Sequence, residues 1–221
     1  VCWRCKSEIV FRLVPAWYIK TSEIKPKLIE CANSVKWEPA SNGKRMNDWL
    51  TNMGDWNISR KRYYGMPLPF YPCDCGHITV VGSKAELREH AVDPAQVDAL
   101  PELHRPWVDE VKIKCPHCGK EVSRISDIGD VWLDAGIVPF STLGYFTDRE
   151  AWEKNFPAEW VTEMHEQVRL WFYSMLFMST VLVGKAPYER VVTNGMVVAE
   201  DGSKFSKTGF MIKFDEAAEK I

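Results

Sequence analysis

The chain has 221 residues, 46% of them apolar and including 10 Trp and 10 Phe, enough to fill a core and so to exclude disorder for most of its length. Lys and Arg total 28 against 30 Asp and Glu, a formal charge of -2, which excludes the global cationic field of a general nucleic-acid binder and leaves any polyanion to local patches. The longest nearly apolar run, Leu170 to Val183, is broken by Ser174, Ser179 and Thr180 and falls short of the about 20 residues a membrane helix needs.

The sequence opens at Val1 without a basic-then-apolar leader, so an internal piece of a longer chain is expected. Punctuation divides it into three blocks, 1–65, 66–129 and 130–221, with no internal repeat. In the first block an aromatic stretch, Trp17-Tyr18-Ile19-Lys20, precedes a helix expected from Ile24 to Asn33. A further segment, Met46 to Met53, carries Trp49 and Leu50 on one face. The block closes on Arg60-Lys61-Arg62 beside Trp56, Tyr63 and Tyr64. That mixture suits single-stranded nucleic-acid ends, but a solvated charge run next to core aromatics explains it equally well.

The second block begins at Met66-Pro67-Leu68-Pro69 and carries a tight cysteine pair on each side. Ser83 is placed to cap a helix over Ala85 to Ala91, and Asp93-Pro94 opens another short helix toward Leu100. Six of the seven cysteines fall in close pairs, Cys2/Cys5, Cys73/Cys75 and Cys115/Cys118, and Cys31 stands alone. Such pairing favours metal in a reducing cytosol over a disulfide framework. Cys73, Cys75, Cys115 and Cys118 can give Zn²⁺ four thiolates from two turns, each followed by a Gly. This is a structural site, with His77 or His117 able to replace one thiolate, and reduced metal-free cysteines are the alternative. Cys2/Cys5 is a half-site, read here as unmetallated.

The third block alternates in the α/β manner, with an extended Glu159 to Glu163, a helix from about Glu166 to Val183, an extended Glu189 to Ala199, a turn at Asp201-Gly202, and a helix from Lys213 to Ile221. Half of a doubly wound sheet follows, with ligands expected beyond its strand carboxyl ends. Gln167 and Trp171, four apart, share a helix face near Glu163. A buried carboxylate and amide there would need partners, so a pocket for a small amphipathic ligand is expected, with core packing the alternative for Trp171. Lys204-Phe205-Ser206-Lys207-Thr208 offers two ammonium groups and two hydroxyls suited to a leaving pyrophosphate, although residue types alone favour a solvated polar turn. No P-loop motif occurs.

Asp201-Gly202 with Lys204-Phe205-Ser206-Lys207-Thr208 resembles the KMSKS loop of class I aminoacyl-tRNA synthetases. The run from Asp55 to Pro69 resembles the segment shared by the isoleucine, valine and leucine branches. The isoleucine branch fits best, through Cys2-Trp3-Arg4-Cys5, Ala16-Trp17-Tyr18-Ile19-Lys20, His104-Arg105-Pro106-Trp107-Val108-Asp109, Asp130-Val131-Trp132-Leu133-Asp134-Ala135-Gly136 and Gln167-Val168-Arg169-Leu170-Trp171-Phe172. The family implies an α/β fold: 1–65 as a connecting segment returning from an editing domain, 66–129 as a zinc-binding insertion, and 130–221 as the C-terminal half of a Rossmann-like catalytic domain. It implies activation of isoleucine with ATP and Mg²⁺, transfer to tRNA(Ile), a cytoplasmic and monomeric parent, and no membrane. By resemblance Lys204 and Lys207 are catalytic, neutralising the ATP phosphates; Asn194, Gly195, Ser206 and Glu163 meet ATP or the adenylate; Trp132, Gln167 and Trp171 line the isoleucine pocket. The four cysteines from 73 to 118 match a family Zn²⁺ site, and Cys2/Cys5 match half of another. Phe205, Thr208, Asn194, Ala135, Met164 and Glu166 depart from the family pattern, and no His-x-Gly-His motif occurs, so the segment by itself is expected to be inactive. Rival readings are a valyl or leucyl enzyme, or a non-catalytic zinc and RNA-binding module.

Overall fold

The computed structural model describes residues 1–2, 5–206 and 209–220. Its strands in chain order are β1 (Tyr18–Ile19), β2 (Lys36–Glu38), β3 (Trp56–Asn57), β4 (Ser59–Arg60), β5 (Phe70–Pro72), β6 (Ile78–Val80), β7 (Lys112–Lys114), β8 (Glu121–Ser123), β9 (Ile128–Gly129), β10 (Val161–Met164) and β11 (Arg190–Asn194). The α-helices are α1 (Lys25–Asn33), α2 (Ser41–Asn52), α3 (Lys84–His90), α4 (Pro94–Asp98), α5 (Trp107–Glu110), α6 (Val131–Gly136), α7 (Val138–Ser141), α8 (Arg149–Asn155), α9 (Trp171–Val183) and α10 (Phe214–Ala218). They form two compact units, one of residues 1–24 and 54–135, the other of 25–53 and 136 onward.

The first unit is built from short antiparallel pairs, β1 with β3, β4 with β9, and the hairpins β5–β6 and β7–β8. Alternation makes the hairpins one-sided: Thr79, Ile113 and Val122 each point inward between two exposed neighbours. Their inner faces and α3 and α4 enclose Tyr71, Leu87, Val97, Val111 and Ile113, all but removed from water. The caps lie where the sequence puts them. Ser83 accepts from the Glu86 N–H at 3.1 Å and Asp93 from the Ala95 N–H at 2.9 Å, so α3 and α4 start where hydroxyl or carboxylate can satisfy free helical N–H groups.

The second unit holds a parallel sheet ordered β10–β11–β2, with Met164 opposite Asn194 and Val192 opposite Glu38. The α9 helix connects β10 to β11 and buries Phe172, Tyr173, Met175, Leu176 and Phe177; Gly184, at φ +70, stops it. Tyr188 donates its hydroxyl to the Phe172 carbonyl at 2.9 Å, which satisfies a buried phenol. Gly136 approaches this helix so closely that a Cβ would lie 2.7 Å from the Ser174 carbonyl oxygen.

Four sequence expectations are corrected in extent. The helix expected from Glu166 is split into a 3₁₀ turn, His165–Arg169, and α9, because Leu170 breaks the backbone at φ -123, ψ -103. The strand expected to reach Ala199 ends at Asn194, where partner β10 ends, and the last helix covers only Phe214–Ala218. The segment around Met46 is a longer helix, α2, reaching back to Ser41. The third strand, β2, was not anticipated. No helix among the described residues is long and apolar enough to cross a membrane.

Candidate active site and metal centre

The β5–β6 and β7–β8 turns each present a cysteine pair. Gly76 at φ +89 and Gly119 at φ +75 adopt the left-handed backbone that closes each turn, and the Gly119 N–H donates to the Cys115 carbonyl at 2.8 Å. The Sγ atoms of Cys73, Cys75, Cys115 and Cys118 all lie within 4.8 Å of one another, with Cys73 to Cys118 at 3.5 Å and Cys75 to Cys115 at 3.7 Å. A tetrahedron with Zn–S bonds of about 2.3 Å has edges of about 3.8 Å, so this all-thiol set fits Zn²⁺. His77 and His117 are not members of it; their rings stack on each other, centroids 6.0 Å apart.

Three of the four thiols are displaced from the ordinary thiol range. Burial pushes the Cys115 thiol up, but the N–H groups of Cys118 and His117 and the facing thiols outweigh it and bring it down to about 7. Cys73 and Cys118 are raised, despite the N–H groups of Cys75 and Lys120, by burial and by neighbouring thiols. Cys73 and Cys115 are buried in the core of the unit while Cys75 and Cys118 face outward, so a metal would clip the two hairpins from their open side.

In the second unit the carboxyl ends of β10 and β11 lie side by side. Glu163, expected to be buried, is exposed, and its Oε2 accepts from the Met164 N–H at 2.8 Å. Gln167 is half-buried and its Oε1 accepts from the Trp171 N–H at 3.1 Å, so it caps the first turn of α9. This bond explains why a break at Leu170 is tolerated: it supplies an acceptor where the backbone ladder is interrupted. Trp171 is half-buried beside Phe172, their rings 6.0 Å apart. Asn194 and Gly195 are exposed at the end of β11. A buried residue not singled out from the sequence, Asn42 on α2, donates to the Thr193 hydroxyl at 2.7 Å and fixes this end of the strand. Its signal, a polar residue in the first turn of an amphipathic helix, is too common to read without the fold.

Beyond β11 the chain turns at 199–202, as expected. The Gly202 N–H donates to the Ala199 carbonyl at 2.9 Å, and the Asp201 carboxylate accepts from the Ser203 N–H at 2.9 Å. That loop presents Lys204 and Ser206 to solvent, and a cavity of 540 Å³ opens beside Phe205 and Phe210. Lys207 and Thr208 lie outside the described residues, as do Trp3 and Arg4. Trp132 belongs to the first unit, half-buried on α6, with its N–H held by the Asp130 carboxylate at 3.1 Å.

The basic run at 60–62 divides. Arg60 pairs with the buried carboxylate of Asp130, which also accepts from Trp56 Nε1 at 3.3 Å, and Lys61 pairs with buried Asp127 at 2.7 Å. Both are ties within the unit, and Arg62, like Lys61, is exposed. A second cluster was not singled out as functional. Asp109 bridges Arg105 and Arg124, and Arg124 is almost completely buried.

A family model described as tRNA synthetases class I (I, L, M and V) matches residues 4–213. Proteins named isoleucine–tRNA ligase are similar along nearly the whole chain. That of Methanopyrus kandleri is 40% identical over 94% of this chain and 20% of its own length, that of Methanoculleus marisnigri 44% over 94% and 19%, and that of Methanothermobacter marburgensis 39% over 99% and 21%. The chain thus spans about a fifth of the length of these curated relatives. Among solved structures, the ternary complex of Agrobacterium radiobacter K84 agnB2 LeuRS-tRNA-LeuAMS aligns at 25% identity and a TM-score of 0.49, covering 71% of this chain and 21% of that one, too slight a likeness to build on.

Proposed function

The chain belongs to the class I tRNA synthetases, and from that premise we propose that it is the part of an isoleucine–tRNA ligase holding the zinc-binding insertion and the C-terminal half of the Rossmann-like catalytic domain. Residues 1–65 would connect from an editing domain, 66–129 form the insertion and 130–221 complete the catalytic half. One observation carries the reading: parallel register sets Met164 beside Asn194, so Glu163 and the Asn194-Gly195 pair lie together at the carboxyl end of the sheet. Ligands of open parallel sheets bind beyond such strand ends. The names of the relatives supply isoleucine as the amino acid.

In this reaction a carboxylate oxygen of isoleucine attacks the α-phosphorus of ATP, the bond to the β-phosphate oxygen breaks, and pyrophosphate leaves. A ribose hydroxyl at the end of tRNA(Ile) then attacks the acyl carbon, and AMP departs. No protein nucleophile is needed, so the work is positioning and charge stabilisation. Lys204 and Lys207 neutralise charge building on the leaving pyrophosphate, with Mg²⁺ accompanying ATP. Ser206, Asn194 and Gly195 hold the adenylate, and Glu163, exposed at the strand end, faces the ammonium group. Gln167 and Trp171 meet the isoleucine side chain, a role that the family resemblance also gives Trp132. Cys73, Cys75, Cys115 and Cys118 would hold Zn²⁺ with four protein thiolates, and the metal would serve the fold by tying the two hairpins together. The parent acts in the cytoplasm as a monomer. Pyrophosphate exchange by a full-length synthetase carrying this segment, compared for isoleucine, valine and leucine, tests the assignment. Exchange supported by isoleucine is expected; preference for valine or leucine, or none at all, rejects it.

A further inference from the structure

The loop after β4 exposes two adjacent aromatic rings that nothing in the activation chemistry uses. Tyr64 is 80% exposed and Tyr63 46%, so both rings present area to solvent side by side. Their rings meet edge to face at 5.0 Å, the His104 ring lies stacked with Tyr64 at 5.9 Å, and the Arg105 guanidinium sits over Tyr63 at 5.2 Å.

This display is fixed in place. Gly65 has φ +138, and a Cβ there would lie 2.4 Å from Ile128 Cδ1, so the backbone after Tyr64 is pressed against β9. Arg105 donates to the Arg62 carbonyl at 3.1 Å while its Nε is held by Asp109 at 2.6 Å, and Lys61 is tied to Asp127. Aromatic rings held exposed on a pinned loop have already lost the freedom that binding would otherwise cost them. Of the three consecutive cations, only Arg62 has its side chain free of the inward ties that bind Arg60 and Lys61, and it is exposed next to the rings.

We propose that Tyr64, flanked by Tyr63 and His104, is a stacking platform for an unpaired base of the tRNA strand, with Arg62 contacting the adjoining phosphate. This rests on the reading of the chain as part of a tRNA ligase. Every base has a face that stacks on an aromatic ring, and a neighbouring cation meets the phosphate that follows. The guanidinium over Tyr63 and the exposed Arg62 beside it give the rings a cationic setting, which suits an anionic strand.

The test is the Kd of a tRNA(Ile) transcript for the full-length synthetase carrying this segment, at several salt concentrations. Tyr64→Ala is expected to weaken binding about tenfold, the size of one lost base stack, and Tyr64→Trp to retain it. Arg62→Ala should flatten the salt dependence by about one counterion. An unchanged Kd for Tyr64→Ala overturns the proposal and leaves the surface to a protein partner. Equal losses for Tyr64→Trp and Tyr64→Ala also overturn it. Isoleucine-dependent pyrophosphate exchange by the unsubstituted protein needs no RNA, so its absence would sink the ligase reading separately.

Discussion

Gln167 shows how one side chain can serve structure and site at once. Its carbonyl oxygen satisfies the Trp171 N–H at the interrupted start of α9, leaving the amide nitrogen as the end that could meet a ligand. Gln167→Ala should therefore cost about 1 kcal/mol of stability, as loss of a helix cap does. Gln167→Glu keeps an acceptor and should unfold near the unsubstituted temperature, while raising the KM for isoleucine if the amide lines the pocket. An unchanged KM would reduce Gln167 to a cap. The spacing of Gln167 and Trp171 was legible in the sequence, but the cap was not, because no Gly or Pro marks the break at Leu170. Lys204 is the complementary case: a polar turn was legible and its exposure agrees, but only kinetics separates a catalytic lysine from a solvated one. Lys204→Ala should lower kcat for exchange about a hundredfold with little change in the isoleucine KM, since the charge it meets develops in the transition state.

At the scale of elements, the two cysteine hairpins were the most readable part of the chain. A Cys pair followed by Gly specifies a tight turn whatever its surroundings, and the four sulfurs converge as tetrahedral ligands must. Binding of zinc to the folded state alone adds its free energy to folding. Chelation, or Cys75→Ser, should therefore lower the Tm of the zinc-loaded protein by about 10 °C or more. Metal analysis should find one zinc per chain, and a Tm indifferent to chelator would mean that the thiols work as a reduced core cluster. The strand β2 is the opposite extreme. Its three residues, Lys36-Trp37-Glu38, carry one buried side chain, and what makes them a strand is β11, more than 150 positions onward. A pairing partner so distant leaves no local period to read.

Over the whole molecule, the sequence blocks follow punctuation, while the units follow burial: residues 25–53 join those from 136 onward through the β2–β11 pairing and the packing of α1 on α9. The electrostatic counterpart of such long-range closure is the Arg105–Asp109–Arg124 bridge in the other unit, which the motif around His104 to Asp109 did not reveal. Arg124, 1% exposed at its side chain, gives hydrogen bonds to the Leu68 and Asp127 carbonyls at 2.9 Å, and Asp109 supplies its countercharge. Burial alone would raise the Asp109 carboxyl, but hydrogen bonds from Arg124 and Arg105 prevail and hold it below its ordinary value. The folded state thus binds this proton less readily than the unfolded state. Its contribution is complete above the ordinary aspartate range and disappears as pH falls through the lowered folded value. Asp109→Asn should accordingly destabilise the protein by about 2 kcal/mol at neutral pH, below the usual cost of breaking a buried pair because Asp109 keeps some contact with water. In urea denaturation the gap between the two proteins should narrow steadily on acidification, as the unsubstituted protein loses the same interaction. A gap independent of pH would show that Asp109 acts through shape and neutral hydrogen bonds, leaving the buried guanidinium to be stabilised by the carbonyls alone.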